Sequence, residues 1–487
     1  MITSVTLLPL AVALICMLLR HHTRLIEGVS VIGAALLLLS GSFLVFHVLR
    51  NGVIDEGMWY MDQLSALLFL MIILIGFLAT LYSISYVRHE RQAVGVSLNM
   101  VRYYYSSLSL FIFTMAVVVV SDNLGMVWIA IEATTLVSAF LVGFYNKAPS
   151  LEAAWKYLII CSVGIALALL GTLFIYASSI DVLGEGSDLH WTSLMAVAGE
   201  LDPALLRIGF VLILVGYGTK VGLVPMHTWL PDAHSQSPSP VSALLSGVLL
   251  NCAMYAVLRY HILLTHSSVG GAFSSDLLLF FGLTSLAVAA AFIITQKDYK
   301  RLLAYSSIEH MGIISIGFGF GGFWGIFGAL LHMFNHSMTK ALMFFGMGNV
   351  LLRFRTKSID EVRGLGRVMP LTSILLLMGS LAIVGSPPFS IFMSEIMVMT
   401  GGIHQGDLVP VMVLIALLIV IFAAFMAHIS KMVFGDPPDG MARGEISRTG
   451  LCSMVVLVVI ILIMGVHIPT ILGDAIGDIF ALFGGQT

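Results

Sequence analysis

The sequence predicts an all-α polytopic membrane protein. Hydrophobic residues make up 59% of the 487 residues and charged residues only 10%, whereas about 25% of residues are charged in an average soluble domain. A helix needs about 20 mostly apolar residues to cross a bilayer, and the chain contains fourteen such segments. Lys and Arg are concentrated in alternate loops, as in multi-pass membrane proteins. These three observations exclude a soluble globular domain.

The fourteen segments are numbered as helices 1 to 14 in chain order. Each is an apolar run of about the length that a bilayer requires, and helices 7 and 12 are predicted to be interrupted. The predicted segments cover residues 3–19, 28–49, 62–86, 104–120, 123–145, 153–178, 205–234, 238–260, 272–294, 302–319, 323–352, 370–402, 408–432 and 449–472.

Basic residues follow the odd-numbered helices. Arg88 and Arg91 follow helix 3, and Lys300 lies in the loop after helix 9. The loops after even-numbered helices are acidic or neutral, as at Asp55 and Glu56. Because basic loops remain in the cytoplasm, both termini are predicted on the outer face. Three other arginines are expected near loops of that outer side: Arg50, Arg207 and Arg259.

Glycine and proline interrupt two of the helices. Helix 7 contains Gly222 and Pro225, and helix 12 contains Gly385, Pro387 and Pro388. Proline removes a backbone donor and clashes with the preceding turn, so both helices should break. Irregular backbone at membrane depth is tolerated only inside protein or beside a water-filled cavity. A pair of broken helices in two halves of a chain indicates a transport site.

The spacing of charged residues predicts an internal duplication. Glu132 on helix 5 precedes Lys220 on helix 7 by 88 residues, and Glu309 on helix 10 precedes Glu395 on helix 12 by 86. Helices 4–8 and 9–13 are therefore predicted to be two five-helix repeats. Five is odd, so the second copy must be inverted. The predicted division is 1–103 for helices 1 to 3, 104–260 for the first repeat, 261–433 for the second repeat, and 434–487 for a loop, helix 14 and a short tail.

Three lysines lie inside apolar segments: Lys156, Lys220 and Lys340. An ionisable group at bilayer depth costs at least about 2.5 kcal/mol, so it indicates an ion or proton pathway. Lys156 is the expected partner of Glu132 on the preceding helix. That pair either controls proton release from Lys220 or is a fixed structural ion pair. Lys220 is the candidate central proton carrier, and the alternative is a lysine that extends its amine to the surface.

Helix 11 carries His332, His336 and Lys340 at a spacing of four residues, which places them on one face. Histidine titrates near neutral pH and passes protons through either ring nitrogen. A single such histidine is usually a core residue, whereas this stripe indicates a relay. No metal site is predicted, because no further ligand accompanies the two histidines.

The remaining candidates lie beside the two breaks. Glu395 follows the break of helix 12 and is the candidate protonatable group on the exit side. Glu309 and His310 form either part of the relay or a solvated pair at the start of helix 10. Three residues around the break of helix 7 are expected to line an intake vestibule: His227, Asp232 and His234.

The cysteines do not indicate a cofactor. They are Cys16, Cys161, Cys252 and Cys452, and none has C-x-x-C spacing. An iron–sulfur cluster or a disulfide framework is therefore not expected in this chain.

One long motif resembles a known family. The residues from Pro225 to Pro238, PMHTWLPDAHSQSP, and from Pro240 to Leu245, PVSALL, are similar to the signature of antiporter-like membrane subunits. That family includes the proton-pumping subunits of respiratory complex I, the large Mrp-type cation/proton antiporter subunits, and matching subunits of group 4 membrane-bound [NiFe] hydrogenases. The resemblance spans nearly the whole chain and implies fourteen helices, inverted five-helix repeats and a polar central axis.

The resemblance also implies roles for particular residues. Five match charged positions of the family's central axis: Glu132, Lys156, Lys220, Lys340 and Glu395. Many members carry a lysine on helix 8, where this chain has Asn251. Asparagine holds water but does not titrate, so continuity between the half-channels must use water, Ser246 or His336.

Further motifs are similar to the hydrogenase-4 component F type. They are RLLAYSSIEHMG at 301–312, HISKMVFG at 428–435 and EATT at 132–135. The resemblance implies a proton-translocating subunit of a prokaryotic inner-membrane complex of the group 4 hydrogenase or formate hydrogenlyase type. Nickel–iron and iron–sulfur centres are then expected in partner subunits of a peripheral redox arm, with other membrane subunits alongside.

Three alternatives remain open from the sequence. The chain is a pump subunit of complex I, a Mrp-type subunit that exchanges Na⁺ for protons, or a scaffold that has kept the fold and lost transport. No feature indicates nucleic-acid binding.

Overall fold

The computed structural model describes residues 1–19, 22–184 and 189–485 and is almost entirely helical. Ten of its helices are long and apolar enough to cross a membrane. The other four predicted segments are also helical in the structure: helices 1, 10, 11 and the interrupted helix 12. The fourteen-helix architecture is thus confirmed for the described part of the chain.

Helices 7 and 12 each consist of two parts, a and b, and short elements lie in the loops. The spanning helices are Ile2–Leu18, Thr23–Asn51, Gln63–Val94, Leu98–Val120, Leu124–Val142, Ala148–Leu183, Pro203–Val221 (7a), Trp229–Gln236 (7b), Ser239–Thr265, Gly271–Ile294, Tyr299–Phe320, Gly322–Phe354, Pro370–Ile383 (12a), Ser390–Gln405 (12b), Leu408–Val433 and Arg448–Val466. The loops contain strands β1 (Ile54–Asp55) and β2 (Tyr60–Met61) and the helices Trp191–Ala196 and Leu365–Val368, and a further helix, Thr470–Leu482, follows helix 14.

The break of helix 7 is where the sequence predicts it. Helix 7a ends at Val221, and Gly222 adopts a left-handed conformation with φ +86°, which glycine reaches without a side-chain clash. Two neighbouring side chains then satisfy freed backbone groups. Trp229 Nε1 donates to the carbonyl of Thr219 at 2.8 Å, and the Val224 N–H donates to Ser285 Oγ at 3.0 Å. The break is therefore enclosed in protein, as membrane depth requires.

Helix 12 breaks in the same way. Helix 12a ends at Ile383, and Gly385 has φ +67°. The Ser386 N–H donates back to the carbonyl of Leu381 at 3.0 Å. On the far side of the break, Asn335 Nδ2 of helix 11 donates to the carbonyl of Ser390 at 2.8 Å. Both predicted interruptions are confirmed.

Helix 8 lies wholly inside the protein and is not a regular α-helix. Residues Leu245–Leu249 form a π-helical turn, which frees a carbonyl from the normal ladder. Ser337 Oγ of helix 11 donates to the carbonyl of Gly247 at 2.5 Å, and Asn251 Nδ2 donates to it at 2.9 Å. This turn therefore fastens helix 8 to helix 11 at the centre of the molecule.

Arg259 lies beside loops of the predicted outer side, near Tyr60 and Trp191, but it is buried. It belongs to helix 8, and its guanidinium forms two hydrogen bonds with the carboxylate of Asp62, at 2.7 and 2.8 Å. Asp62 also caps helix 3 by accepting from the Ser65 N–H at 2.9 Å. The rings of Trp191 and Tyr255 lie 4.4 and 4.8 Å from the guanidinium. The position of Arg259 near the end of helix 8 could not reveal that its partner is Asp62 at the start of helix 3.

Candidate functional site

Lys220 lies at the centre of the first half, near the end of helix 7a. Its side chain is completely buried, so it does not extend to the surface. The ammonium donates to Thr135 Oγ1 at 2.8 Å and to the hydroxyl of Tyr157, and it lies 4.5 Å from the centroid of the Tyr157 ring. Helices 5, 6 and 7a therefore jointly hold this lysine.

Glu132 approaches Lys220 from helix 5. Its Oε1 accepts from Ser162 Oγ at 2.7 Å, while the buried Oε2 has no partner among the described residues. Thr135, which binds Lys220, lies three residues further along the same helix. The Glu132 carboxylate and the Lys220 ammonium also interact electrostatically. The structure thus brings these two predicted residues together.

Lys156 does not pair with Glu132, which corrects the pairing expected from the sequence. Its side chain is 47% exposed and forms ion pairs with Glu152 at 2.6 Å and with Asp232 at 3.3 Å. Successive residues of an α-helix point about 100° apart. Since Tyr157 points inward at Lys220, its neighbour Lys156 is turned outward.

Asp232 is consequently the centre of an ionic network at the edge of the protein. Besides Lys156, it binds Arg301 of helix 10 with an Nη2 to Oδ1 distance of 3.0 Å. Asp232 was predicted to line an intake vestibule, and the structure places its carboxylate, 25% exposed, beside Lys156 and Arg301.

Three histidines form a cluster in the second half. His310 Nδ1 and His332 Nε2 are hydrogen-bonded at 3.0 Å, and the rings of His310 and His336 lie 5.2 Å apart. His332 Nδ1 is hydrogen-bonded to Ser394 Oγ of helix 12b at 3.0 Å. Lys340, one turn after His336, donates to the carbonyl of Leu303 at 3.0 Å and to the Ser306 hydroxyl.

Glu309 is a buried residue near the middle of helix 10, so the alternative of a solvated pair at the helix start is wrong. Its carboxylate interacts electrostatically with Lys340 and with Glu395. Glu395 lies beside the break of helix 12, where its carboxylate occupies the space that a side chain at Gly385 would need. Glu395 Oε1 has no partner among the described residues.

Hydroxyl, amide and imidazole side chains lie where the two halves of the molecule meet. Asn251 Nδ2 donates to Ser337 Oγ at 2.9 Å, and its buried Oδ1 has no described partner. Ser246 Oγ is hydrogen-bonded to Ser307 Oγ at 2.7 Å. Both ring nitrogens of His336 are buried without a described partner. Buried polar atoms normally find a partner, and ordered water is a common one.

Two vestibule residues from helix 7 lie deeper than expected. His234 is completely buried, stacks on Phe344 with 5.3 Å between ring centroids, and has neither ring nitrogen paired among the described residues. His227 is nearly buried, and its Nδ1 is likewise unpaired in the part of the chain described. His234 does not reach the protein surface, whereas His227 keeps 9% of its area exposed.

Two lysines that contact the end of helix 7b were not predicted as site residues. Lys300 is completely buried and donates to the carbonyl of Ser237 at 2.5 Å, while Lys357 donates to the carbonyl of Ser235 at 2.6 Å. Burial lowers the pKa of Lys357, which lies in the loop after helix 11. Because helix 10 was predicted to begin at 302 and begins at Tyr299, Lys300 was wrongly placed in a loop.

No group of three or more His, Cys, Asp and Glu residues fit to hold a metal is found among the described residues. The four cysteines are free thiols in separate places, three buried and Cys452 exposed.

The described helices and the line of buried charges define an antiporter-like membrane subunit. Residues 121–427 match the family described as "NADH:quinone oxidoreductase/Mrp antiporter, TM", and residues 58–94 match "NADH-Ubiquinone oxidoreductase (complex I), chain 5 N-terminus". The chain belongs to the NADH:quinone oxidoreductase/Mrp antiporter family, which confirms the resemblance seen in its signature.

Two curated relatives are similar over much of the chain. A hydrogenase-4 component F homolog from Methylacidiphilum infernorum is 42% identical over 84% of this chain and 85% of its own length. Hydrogenase-4 component B from Escherichia coli is 30% identical over 69% of this chain, which spans only 49% of that larger relative.

Three solved structures share the fold. A chain of the archaeal membrane-bound sulfane sulfur reductase matches with a TM-score of 0.87, at 24% identity, over 99% of this chain and 97% of its own length. A chain of the Mrp complex from Dietzia matches with a TM-score of 0.82, at 17% identity, over 99% and 96%. A chain of respiratory complex I from Thermus thermophilus matches with a TM-score of 0.77, at 21% identity, over 96% and 97%.

Proposed function

We propose that this chain translocates protons as the antiporter-like membrane subunit of a redox-driven complex of the group 4 [NiFe] hydrogenase or formate hydrogenlyase type. The observation that carries the proposal is the buried series of protonatable and hydroxyl side chains that extends from helix 5 to helix 12b. The similarity to hydrogenase-4 component F over most of both chains supports the type of complex.

The proposed path begins at Glu132 and Lys220 and crosses helix 8 at Asn251. It continues through the His336 and His332 side of helix 11, with Lys340 alongside, and ends at Glu395. Asn251 and His336 keep unpaired polar atoms at the crossing, so ordered water supplies the continuity that a titratable side chain supplies in many relatives. The intake residues are His227, His234 and the missed Lys300, with His310 and Glu309 as further relay members.

The coupling step is a movement of Lys156. In the structure it is held outward by Glu152 and Asp232, which leaves the Glu132 carboxylate free to stabilise the Lys220 ammonium. When Lys156 turns towards Glu132, that stabilisation falls and Lys220 releases its proton. In this proposal a Glu132–Lys156 pair forms only in the releasing state, and it is absent from the state that the structure describes.

The redox centres are assigned to partner subunits. Nickel–iron and iron–sulfur centres in a peripheral arm supply the driving reaction, and other membrane subunits lie beside this chain. We infer from the distribution of basic loops that both termini lie on the outer face of a prokaryotic cell membrane.

The test is proton translocation by the intact complex in proteoliposomes, measured against electron turnover. Lys220→Met and Glu395→Gln should abolish translocation, because each removes a protonatable group from the path. Lys431→Gln changes an exposed lysine at the end of helix 13 and should leave the ratio of protons to electrons unchanged. An unchanged ratio in Lys220→Met would reject the path and favour a scaffold.

The fold shared with the Dietzia Mrp complex supports a second candidate, exchange of Na⁺ for protons. Sodium-dependent proton movement without an electron donor would establish that function. Quinone-dependent turnover without a nickel–iron subunit would instead establish a complex I pump.

A further inference from the structure

We propose that a cleft on the outside of helices 1, 4, 5 and 6 binds a phospholipid with an anionic headgroup. The cleft has a volume of about 890 Å³, which is within the range of about 300–1,000 Å³ found for ligand sites. Its lining is mainly apolar and aromatic and includes Met17, Tyr103, Phe140, Phe144 and Trp155. This site is separate from the proposed proton path and extends the inferred function of the chain.

The cleft opens towards the bilayer. The exposed fraction is 79% for Phe140 and 61% for Trp155, and both line the opening. The lining residues belong to the end of helix 1, the first turns of helix 4, the end of helix 5 and the first turns of helix 6. These helix ends all lie at the basic side of the membrane, so acyl chains of that leaflet have direct access.

A cation lies next to the cleft, against the ring of the lining residue Tyr103. The Arg102 guanidinium lies 4.9 Å from the centroid of the Tyr103 ring, and its Nη2 donates to the Tyr103 hydroxyl at 3.2 Å. Arg102 Nε is buried and has no partner among the described residues. A guanidinium matches the geometry of a phosphate, and anionic lipids are enriched in the cytoplasmic leaflet. This charge favours a phospholipid as the occupant over an apolar helix of a neighbouring subunit.

The floor of the cleft is held in place before any lipid arrives. The Tyr104 hydroxyl is hydrogen-bonded to Ser83 Oγ at 2.8 Å, and the Phe144 ring packs edge-on against Tyr104 with 5.3 Å between centroids. Ser106 Oγ donates to the carbonyl of Ala13 at 2.9 Å, which joins helices 4 and 1. A preformed cavity loses little conformational entropy when it binds an acyl chain.

The experiment measures lipid retained by the intact complex. The complex is purified in mild detergent, exchanged with phosphatidylglycerol or phosphatidylcholine, and analysed by native mass spectrometry. Ala154→Trp fills the cleft from its lining on helix 6, and Ala423→Trp adds the same bulk to an exposed position of helix 13. Arg102→Gln removes the cation next to the cleft, and Arg91→Gln removes an exposed arginine on the same side.

The wild type and the two control variants should retain phosphatidylglycerol. Ala154→Trp should lose it, and Arg102→Gln should reduce the preference for phosphatidylglycerol over phosphatidylcholine about fivefold. Equal retention by Ala154→Trp and Ala423→Trp would overturn the site. Equal preference in Arg102→Gln and Arg91→Gln would overturn the headgroup assignment. In a separate test, a photoreactive residue replaces Trp155. If it crosslinks to a neighbouring subunit, the occupant of the cleft is a protein and not a lipid.

Discussion

Lys220 and Lys340 are each held by neutral oxygen atoms and not by a carboxylate. Lys220 donates to the hydroxyls of Thr135 and Tyr157, and Lys340 donates to the Ser306 hydroxyl and to the carbonyl of Leu303. A carboxylate in direct contact would fix the charged state of a buried lysine. Neutral oxygen atoms accept hydrogen bonds from the protonated lysine and leave no unpaired charge when the lysine loses its proton. These lysines therefore suit reversible protonation better than structural pairing.

Thr135→Asp should therefore stop translocation without unfolding the protein. The new carboxylate would lie beside the Lys220 ammonium, which Thr135 Oγ1 contacts at 2.8 Å, and would hold the proton on Lys220. The measurement is the ratio of protons to electrons in proteoliposomes. Thr135→Ser keeps the hydroxyl and should retain the ratio. Equal translocation by both variants would contradict the role given to neutral partners.

Gly385 is required for two separate reasons. Its φ of +67° disfavours any side chain, and the Glu395 carboxylate occupies the position of a Cβ. Gly385→Ala should cost more than the roughly 1–2 kcal/mol of a left-handed alanine and should displace Glu395, with loss of translocation. Gly406→Ala is the matched control, because it has φ +85° and open space around it. Thermal unfolding and the proton ratio of both variants test this, and equal effects would contradict it.

Among the helices, the π turn of helix 8 determines how the two halves meet. Ser337→Ala removes the hydroxyl that donates to the Gly247 carbonyl, so it should destabilise the protein by about 1 kcal/mol and slow translocation past Asn251. Ser315→Ala removes a buried hydroxyl that bonds only within its own helix, to the carbonyl of Met311 at 2.8 Å. Thermal stability and turnover of the two variants should differ, and identical values would indicate that the π turn is not held by Ser337.

The sequence predicts helices better than their partners across the bundle. Pro225, Gly222 and Gly385 act on their own backbone, so both breaks could be located from local chemistry. The π turn at Leu245–Leu249 has no local signal, because it depends on donors from helix 11. The rotation of helix 6 is likewise set by packing, which is why the exposed position of Lys156 was missed. The inverted repeats remain a prediction from spacing.

At the scale of the whole molecule, the network of Lys156, Asp232 and Arg301 lies at the edge of the subunit, and the movement proposed for Lys156 would couple it to the interior path. Asp232→Asn weakens the outward hold on Lys156, so Lys156 should turn towards Glu132 more often and Lys220 should lose its proton more easily. The pH at which translocation is half-maximal should then shift towards acid. The control is Asp439→Asn, which changes an exposed loop residue on the same side and should give the wild-type pH profile. A shift towards alkaline pH in Asp232→Asn would contradict the proposed coupling.

The pair of Asp62 and Arg259 also bears on the order in which the chain is built. During synthesis Asp62 enters the membrane with helix 3, and its partner is made 197 residues later. Until then the Ser65 N–H, within the same first turn, satisfies part of the carboxylate. Helix 8 then brings Arg259, and the residues that contact its guanidinium, Asp62, Trp191 and Tyr255, all come from the first half of the chain. The ion pair can therefore form as soon as helix 8 enters the membrane, before the second half of the chain is translated.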